Sequence, residues 1–102
     1  MKDYGKVSII MPNYNCAPFV VETIRSIQAQ TYTNWELLIV DDRSTDKGYQ
    51  ILLSEAEKDC RIKVLQNVKN SGAAVSRNYA MREASGQWIA FLDSDDLWEP
   101  EK

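Results

Sequence analysis

Histidine is absent from this sequence, and its absence excludes several common kinds of functional site. Without histidine the chain has no Ser-His-Asp triad, no histidine general base and no histidine-ligated zinc or iron. Any chemistry that these 102 residues support must therefore use carboxylates, hydroxyls, amides, lysine or arginine.

Cysteine, long apolar runs and clustered basic residues are also scarce. Cys16 and Cys60 stand far apart, so we expect free thiols in a reducing compartment. No apolar run is long enough to cross a membrane and no signal peptide is recognisable, so we expect a cytoplasmic protein, whose parent could associate with the inner face of the membrane. The net charge of −3, without a Lys/Arg cluster, argues against nucleic-acid binding.

Apolar, β-branched runs alternate with amphipathic segments along the whole chain. This pattern predicts one domain, with strands at 6–11, 35–40, 62–66 and 87–92. Helices are expected from Pro18 to about Gln30, after Asp46, and from about Ala73 to Ala84. The β-α-β-α-β-α-β order predicts an α/β fold: an open, mostly parallel, Rossmann-like sheet with strand order 3-2-1-4 and helices on both faces.

Turn and cap residues mark where these elements should begin and end. The turn residues from Pro12 onward are expected to end the first strand. Ser44 or Thr45 is a candidate cap for the second helix, and Asn70 or Ser71 for the third. Gly86 is expected just past the end of that third helix, where glycine is common.

Acidic residues follow two of the predicted strands directly, Asp41 and Asp42 after the second and Asp93, Asp95 and Asp96 after the fourth. In a parallel sheet both groups lie at the carboxyl edge, where ligands bind. Clustered carboxylates repel one another unless a cation lies among them, and oxygen ligands alone favour Mg²⁺ or Mn²⁺. Taken alone, either group is also typical of a solvated turn or a helix cap.

The start of the third helix is a weaker candidate site. Small residues from Gly72 onward suit either close approach of a phosphate or simple packing on the sheet. Arg77 is expected near the nucleotide, paired with a phosphate or with Asp42 or Asp95. Tyr14, in the loop after the first strand, is placed to stack near a base.

The chain resembles family 2 glycosyltransferases of the GT-A fold in several blocks that occur in the family's order. The blocks are VSIIMPNYN at 7–15, SIQAQTY at 26–32, WELLIVDDRSTD at 35–46, NSG at 70–72 with RN at 77–78, Gly86, and FLDSDD at 91–96. The resemblance implies that residues 1–102 are the N-terminal, nucleotide-sugar-binding half of a GT-A domain whose acceptor-binding half is absent. Arg43 stands where the family often has glycine, so the turn there is expected to differ slightly.

The resemblance also implies a role for each site residue. Asp42 would hydrogen-bond the base, usually uracil, Asp93 would lie near the ribose, and Asp95, with Asp93, would hold Mn²⁺ or Mg²⁺ on the diphosphate. The implied activity is inverting transfer of a sugar from a donor, expected to be UDP-linked, to a hydroxyl of a glycan or lipid-linked acceptor in polysaccharide or lipopolysaccharide synthesis. The full set of nucleotide-binding residues expected is Pro12, Tyr14, Asp41, Asp42, Arg77, Asp93 and Ser94.

No catalytic base is expected within the chain, because the resemblance places the base further along, beyond Lys102. The chain is therefore expected to be inactive alone, and to self-associate through an uncovered sheet edge. Two other interpretations remain at this point. One is a haloacid-dehalogenase-like, Mg²⁺-dependent phosphatase in which Asp93 and Asp95 are nucleophile and acid. The other is a noncatalytic nucleotide-binding domain.

Overall fold

A computed structural model describes residues 5–94, and the predicted helix after Asp96 lies outside them. The strands of the described part are β1 (Val7–Asn13), β2 (Trp35–Asp41), β3 (Ile62–Gln66) and β4 (Trp88–Phe91). The helices there are α1 (Ala17–Gln28), α2 (Gly48–Lys58) and α3 (Ala73–Glu83). The strands form one parallel sheet in the order β3-β2-β1-β4, which confirms the predicted α/β topology.

The core consists of two apolar layers, one on each face of the sheet. β2 supplies both layers because all of its residues are buried and successive side chains point to opposite faces. The larger layer lies under α1 and α2 and contains Ile9, Met11, Val20, Ile24, Ile27, Trp35, Leu37, Ile39, Leu52, Ile62 and Leu92. The smaller lies under α3 and contains Ile10, Leu38, Val40 and Ala80.

β1 continues through Pro12 and Asn13, so the prediction that these residues end the strand is wrong. The N–H groups of a strand point alternately to its two neighbours. The N–H of Val7 points towards β2 and donates to the carbonyl oxygen of Asn34. Pro12 comes an odd number of positions later, so its nitrogen points to the other side, towards β4. Since β4 stops pairing with β1 at Ile10, no partner there requires the hydrogen that proline lacks.

The helix caps differ from those expected from the sequence. α2 begins only at Gly48, whose N–H donates to the Asp46 carboxylate at 2.8 Å, and neither Ser44 nor Thr45 caps it. The cap position of α3 is Gly72, with a φ of 94°, instead of Asn70 or Ser71. The Ser44 hydroxyl donates to the Asp41 carboxylate and the Ser71 hydroxyl to the carbonyl oxygen of Lys69, so neither hydroxyl caps a helix.

Gly86 does follow α3, but a close contact with β1 explains it better than helix termination. A Cβ atom at this position would lie 2.5 Å from Ser8 Oγ and 2.7 Å from the carbonyl oxygen of Lys6. Beside this contact the Glu36 carboxylate, 3% exposed, accepts hydrogen bonds from Ser8 and Ser85. Burial alone would raise the pKa of Glu36, but these hydrogen bonds and the charge of Lys6 lower it to about 2.

β4 is an edge strand, and no strand among residues 5–94 pairs with its outer side. Its side chains Trp88, Ile89 and Phe91 are all exposed. α3 packs on β1 and β2, which leaves the face of β4 that carries Ile89 and Phe91 uncovered. Exposed apolar edges favour association, and the predicted self-association stays a prediction. None of the described helices has the length and apolar character that crossing a bilayer requires.

Candidate functional site

A cleft of about 290 Å³ lies at the carboxyl ends of β1, β2 and β4, beside the start of α3. This is the edge where parallel sheets bind ligands, next to the point where the strand order reverses. The cleft is lined by Pro12, Asn13, Tyr14, Cys16, Asp42, Ala73, Ser76, Asp93 and Ser94. It brings together five of the residues expected from the sequence, namely Pro12, Tyr14, Asp42, Asp93 and Ser94.

Asp42 forms part of the cleft wall and also holds the start of α3. Only 4% of the residue is exposed, and its carboxylate accepts the N–H groups of Ser71 at 2.7 Å and Gly72 at 2.8 Å. The Asn67 side-chain amide donates a third hydrogen bond, at 2.9 Å. Burial acts to raise the pKa of Asp42, but these hydrogen bonds outweigh it and lower the pKa below its usual value. Asp42 is therefore a carboxylate fixed in its ionised form.

The same contacts remove two N–H groups just before α3 from the candidate phosphate site. The Ser71 and Gly72 N–H groups already bind the Asp42 carboxylate, so they are not available to a phosphate. Arg77 does not line the cleft, and within residues 5–94 it makes no hydrogen bond or ion pair, so the expected pairing with Asp42 is absent.

Asp41 points to the opposite face of the sheet from Asp42, as neighbouring strand residues do. It is fully buried, and its carboxylate accepts hydrogen bonds from the side chains of Asn13 at 2.9 Å and Gln66 at 3.2 Å. Ser44 donates to it through both its hydroxyl and its backbone N–H. Asp41 therefore contributes to the site by holding β1 and the β2–α2 loop together, with no surface of its own in the cleft.

The loop that carries Tyr14 is fastened to the β2–α2 loop by Asn15. The Asn15 side-chain oxygen accepts the N–H of Thr45 at 2.8 Å, and the Asn15 N–H donates to the Ser44 hydroxyl at 3.0 Å. Asn15 has a φ of 54°, a left-handed conformation that asparagine tolerates better than most residues. Tyr14 itself is 47% exposed, so its ring is accessible at the cleft.

Arg43 likewise adopts a left-handed backbone, with a φ of 60°. The turn thus has the kind of backbone that glycine adopts without strain. The Arg43 side chain adds what glycine lacks, because its Nε donates to the carbonyl oxygens of Asn67 at 2.8 Å and Val68 at 3.2 Å. These bonds tie the β2–α2 loop to the β3–α3 loop.

The acidic stretch after β4 is described as far as Ser94, and Asp95 and Asp96 lie outside the described residues. Asp93 is exposed in the cleft and makes no hydrogen bond or ion pair within residues 5–94. No group of three or more potential metal ligands occurs within the same residues. One free carboxylate still fits Mg²⁺ or Mn²⁺, because such ions are often held by one or two carboxylates together with the phosphate oxygens of a substrate.

The catalytic base expected beyond Lys102 cannot be placed on this structure. Lys102 itself lies outside the described residues, and the sequence ends there. The position of the base therefore stays a prediction.

Four residues that line the cleft, Asn13, Cys16, Ala73 and Ser76, were not among the individual site residues predicted from the sequence, although the start of α3 was a candidate region. Ser76 follows Ala73 by one helical turn, a spacing that predicts a shared face of α3.

Cys16 is half-buried and Cys60 exposed, and both are free, as expected. A second cleft, of about 260 Å³, lies at the opposite edge of the sheet and is lined by Lys6, Thr33, Asn34, Trp35, Glu36, Cys60, Arg61 and Lys63.

Comparison with known protein families gives one match that spans most of the chain. The model of the family described as "Glycosyl transferase family 2" matches residues 8–102. The matched segment includes every residue that lines the cleft at the carboxyl edge.

Curated relatives include two bacterial glycosyltransferases. The chain is 46% identical over 96 residues to the putative teichuronic acid biosynthesis glycosyltransferase TuaG of Bacillus subtilis. It is 51% identical over 98 residues to WfgD of Escherichia coli, named as a UDP-Glc:alpha-D-GlcNAc-diphosphoundecaprenol beta-1,3-glucosyltransferase. The two matches cover 94% and 96% of this chain but only 38% of each relative, so the chain spans little more than a third of their length.

Solved structures with the same architecture are GT-A glycosyltransferases. TarS of S. aureus, in complex with UDP, has a TM-score of 0.86 and 35% identity, over 94% of this chain and 29% of that one. The mannosyltransferase PcManGT of Pyrobaculum calidifontis, in complex with GDP-Man and Mn²⁺, has a TM-score of 0.86 and 31% identity, over 92% of this chain and 28% of that one.

Proposed function

The chain belongs to glycosyl transferase family 2, and from this premise we propose that it binds the nucleoside diphosphate of a sugar donor, most simply a UDP-sugar, in the cleft at the carboxyl edge. The observation that carries the proposal is the composition of that cleft. A fixed carboxylate (Asp42), an accessible aromatic ring (Tyr14) and a free carboxylate (Asp93) line one concave surface.

Each part of the cleft suits one part of the donor. Pro12 and the Tyr14 ring provide apolar surface against which a base can stack. An ionised carboxylate has about four acceptor positions, and three of those on Asp42 are occupied by N–H groups, which leaves one for an N–H of the base. Asp93 then faces the ribose and the diphosphate.

A divalent cation, Mn²⁺ or Mg²⁺, would be held by Asp93 and Asp95 together with diphosphate oxygens. It would neutralise the charge that develops on the departing nucleoside diphosphate. Arg77 follows Ser76, which lines the cleft, and it has no partner within residues 5–94. A contact between its guanidinium and the diphosphate stays a prediction, because Arg77 itself does not line the cleft. Ser94 lines this part of the cleft. Asp41 does not line it, but its carboxylate accepts hydrogen bonds from the side chains of Asn13, which does, and of Ser44.

Transfer itself would be a property of a protein as long as the relatives. The base is expected beyond Lys102, so we infer that this chain alone would bind the donor without transferring the sugar. In the longer protein, one direct displacement assisted by a carboxylate base located beyond Lys102 would invert the anomeric centre. The acceptor would be a glycan or a lipid-linked sugar at the cytoplasmic face of the membrane.

Isothermal titration calorimetry of the 102-residue chain tests the binding step. We expect UDP to bind in the presence of Mn²⁺ and to bind much more weakly after chelation. Asp93→Ala should remove most of the effect of Mn²⁺, whereas Glu57→Ala, at an exposed acid outside the cleft that makes no hydrogen bond or ion pair within residues 5–94, should not. No UDP binding by a folded sample, or binding that Mn²⁺ does not change, would contradict the proposal.

The same sample separates the two other functions considered from the sequence. A haloacid-dehalogenase-like phosphatase would hydrolyse a phosphate monoester with Mg²⁺ and lose that activity in Asp93→Asn. A noncatalytic nucleotide-binding domain would bind UDP without requiring the metal. The match to family 2 favours neither.

A further inference from the structure

A buried hydroxyl on α1 is bonded to the backbone of the acidic stretch after β4. Thr23 is fully buried in the middle of α1, and its hydroxyl donates to the carbonyl oxygen of Ser94 at 2.8 Å. The two residues are 71 positions apart in the chain. The carbonyl oxygen of Phe19, one turn back in the helix, is the usual partner for such a hydroxyl, but it lies farther away, at 3.3 Å.

The segment after β4 is therefore held in place by buried contacts on both sides of Asp93, at Leu92 and at Ser94. Leu92 is buried in the apolar layer under α1, together with Val20 and Ile24. Ser94 is also buried and is held by Thr23, while Asp93 between them is exposed in the cleft. This buried–exposed–buried order means that α1 fixes the direction in which the Asp93 side chain leaves the backbone.

We propose that Thr23 is a positioning residue for the metal-binding acids, acting through the Ser94 carbonyl. The inference rests on the proposed function, since it assumes that Asp93 and Asp95 hold the cation. A peptide bond is planar, so the Ser94 carbonyl and the nitrogen of the next residue form one rigid unit. An anchor on that carbonyl therefore restrains the backbone directly after Asp93.

Thr23 is not part of the cleft lining, so it cannot touch the nucleotide. Its effect should appear in the metal-dependent part of binding and leave the contacts of the base unchanged. Residues that orient metal ligands without binding the metal typically change metal affinity by about 10- to 100-fold when they are replaced. A residue that only stabilised the fold would not discriminate between binding with and without metal.

Two substitutions isolate the hydroxyl. Thr23→Val keeps the shape of the side chain and removes the hydrogen bond, and Thr23→Ser keeps the hydroxyl and removes a methyl group. We expect Thr23→Val to weaken the Mn²⁺-dependent binding of UDP about tenfold or more, with UDP binding in chelator unchanged. Thr23→Ser should bind like the unchanged protein in both conditions.

Calorimetry in Mn²⁺ and in chelator measures both quantities, and retained binding in chelator shows that the variant is folded. The inference is overturned if Thr23→Val keeps full Mn²⁺-dependent affinity, if it loses affinity equally with and without metal, or if Thr23→Ser is as impaired as Thr23→Val. Failure of the proposed function would look different, because then the unchanged protein would itself show no Mn²⁺-dependent binding of UDP.

Discussion

Replacement of Asp42 by alanine should destabilise the fold as well as the candidate site. The substitution leaves the N–H groups of Ser71 and Gly72 and the side-chain amide of Asn67 without their shared acceptor. A hydrogen bond to a charged group contributes about 1.5–3 kcal/mol net. Part of the combined contribution of the three hydrogen bonds is offset, because burying a carboxylate is costly. Gly72 is also exposed, so water can replace the bond of its N–H group.

We therefore expect a loss of about 3 kcal/mol in the free energy of unfolding, against a total stability of about 5–15 kcal/mol for a typical domain. Urea denaturation followed by far-UV circular dichroism measures the difference. Asp93→Ala is the matched control, since Asp93 is exposed and makes no hydrogen bond within residues 5–94, and it should change stability by less than about 0.5 kcal/mol. A loss below about 1 kcal/mol in Asp42→Ala would refute the assigned contacts. Weak nucleotide binding by Asp42→Ala is therefore informative only after its folding has been checked.

Three further substitutions test the left-handed backbone at Arg43 and the network of Glu36 with Ser8, Ser85 and Lys6. Arg43 has a φ of 60°, so Arg43→Gly should be about 1 kcal/mol more stable than Arg43→Ala, although both lose the bonds to Asn67 and Val68. Equal stability, or the reverse order, in urea denaturation would contradict the left-handed assignment. The pKa of Glu36 is lowered from 4.5 to about 2, so its contribution to stability is present above pH 4.5 and is lost as the pH falls towards 2. Glu36→Gln should therefore flatten the acid side of the stability profile, by on the order of 3 kcal/mol, and an unchanged profile would exclude the network.

The topology was predictable because the apolar runs alternate with helical periods along the whole chain. The carboxyl-edge position of Asp42 and Asp93 followed directly, since each comes after an apolar, strand-like run of the sequence. The difference between Asp41 and Asp42 was also accessible in principle, because neighbouring strand residues point to opposite faces of the sheet. This alternation predicts that the two carboxylates point apart, but it does not predict which of them lines the cleft, since Asn13, which is in register with Asp41, also lines it.

The cap positions and the buried polar contacts were not predictable, because they depend on residues far apart in the sequence. Ser44 is a good cap residue locally, but its hydroxyl donates to Asp41, three residues away, and accepts a hydrogen bond from Asn13, 31 positions away. Glu36 is a charged residue inside an apolar strand, which is a local indication that it makes a buried polar contact. Its partner Ser85 lies 49 positions away. The bond between Thr23 and Ser94 leaves no local pattern at all.

The most direct test of the central claim is to locate the bound nucleotide by amide NMR shifts while UDP and Mg²⁺ are added to the 102-residue chain. The account predicts that the largest shifts occur around the carboxyl-edge cleft, at Tyr14, Asp42, Ser76 and Ser94. It also predicts that a trace of Mn²⁺ broadens Asp93 and Ser94 first. Shifts concentrated around Lys6, Arg61 and Lys63, in the cleft at the opposite edge of the sheet, would contradict it.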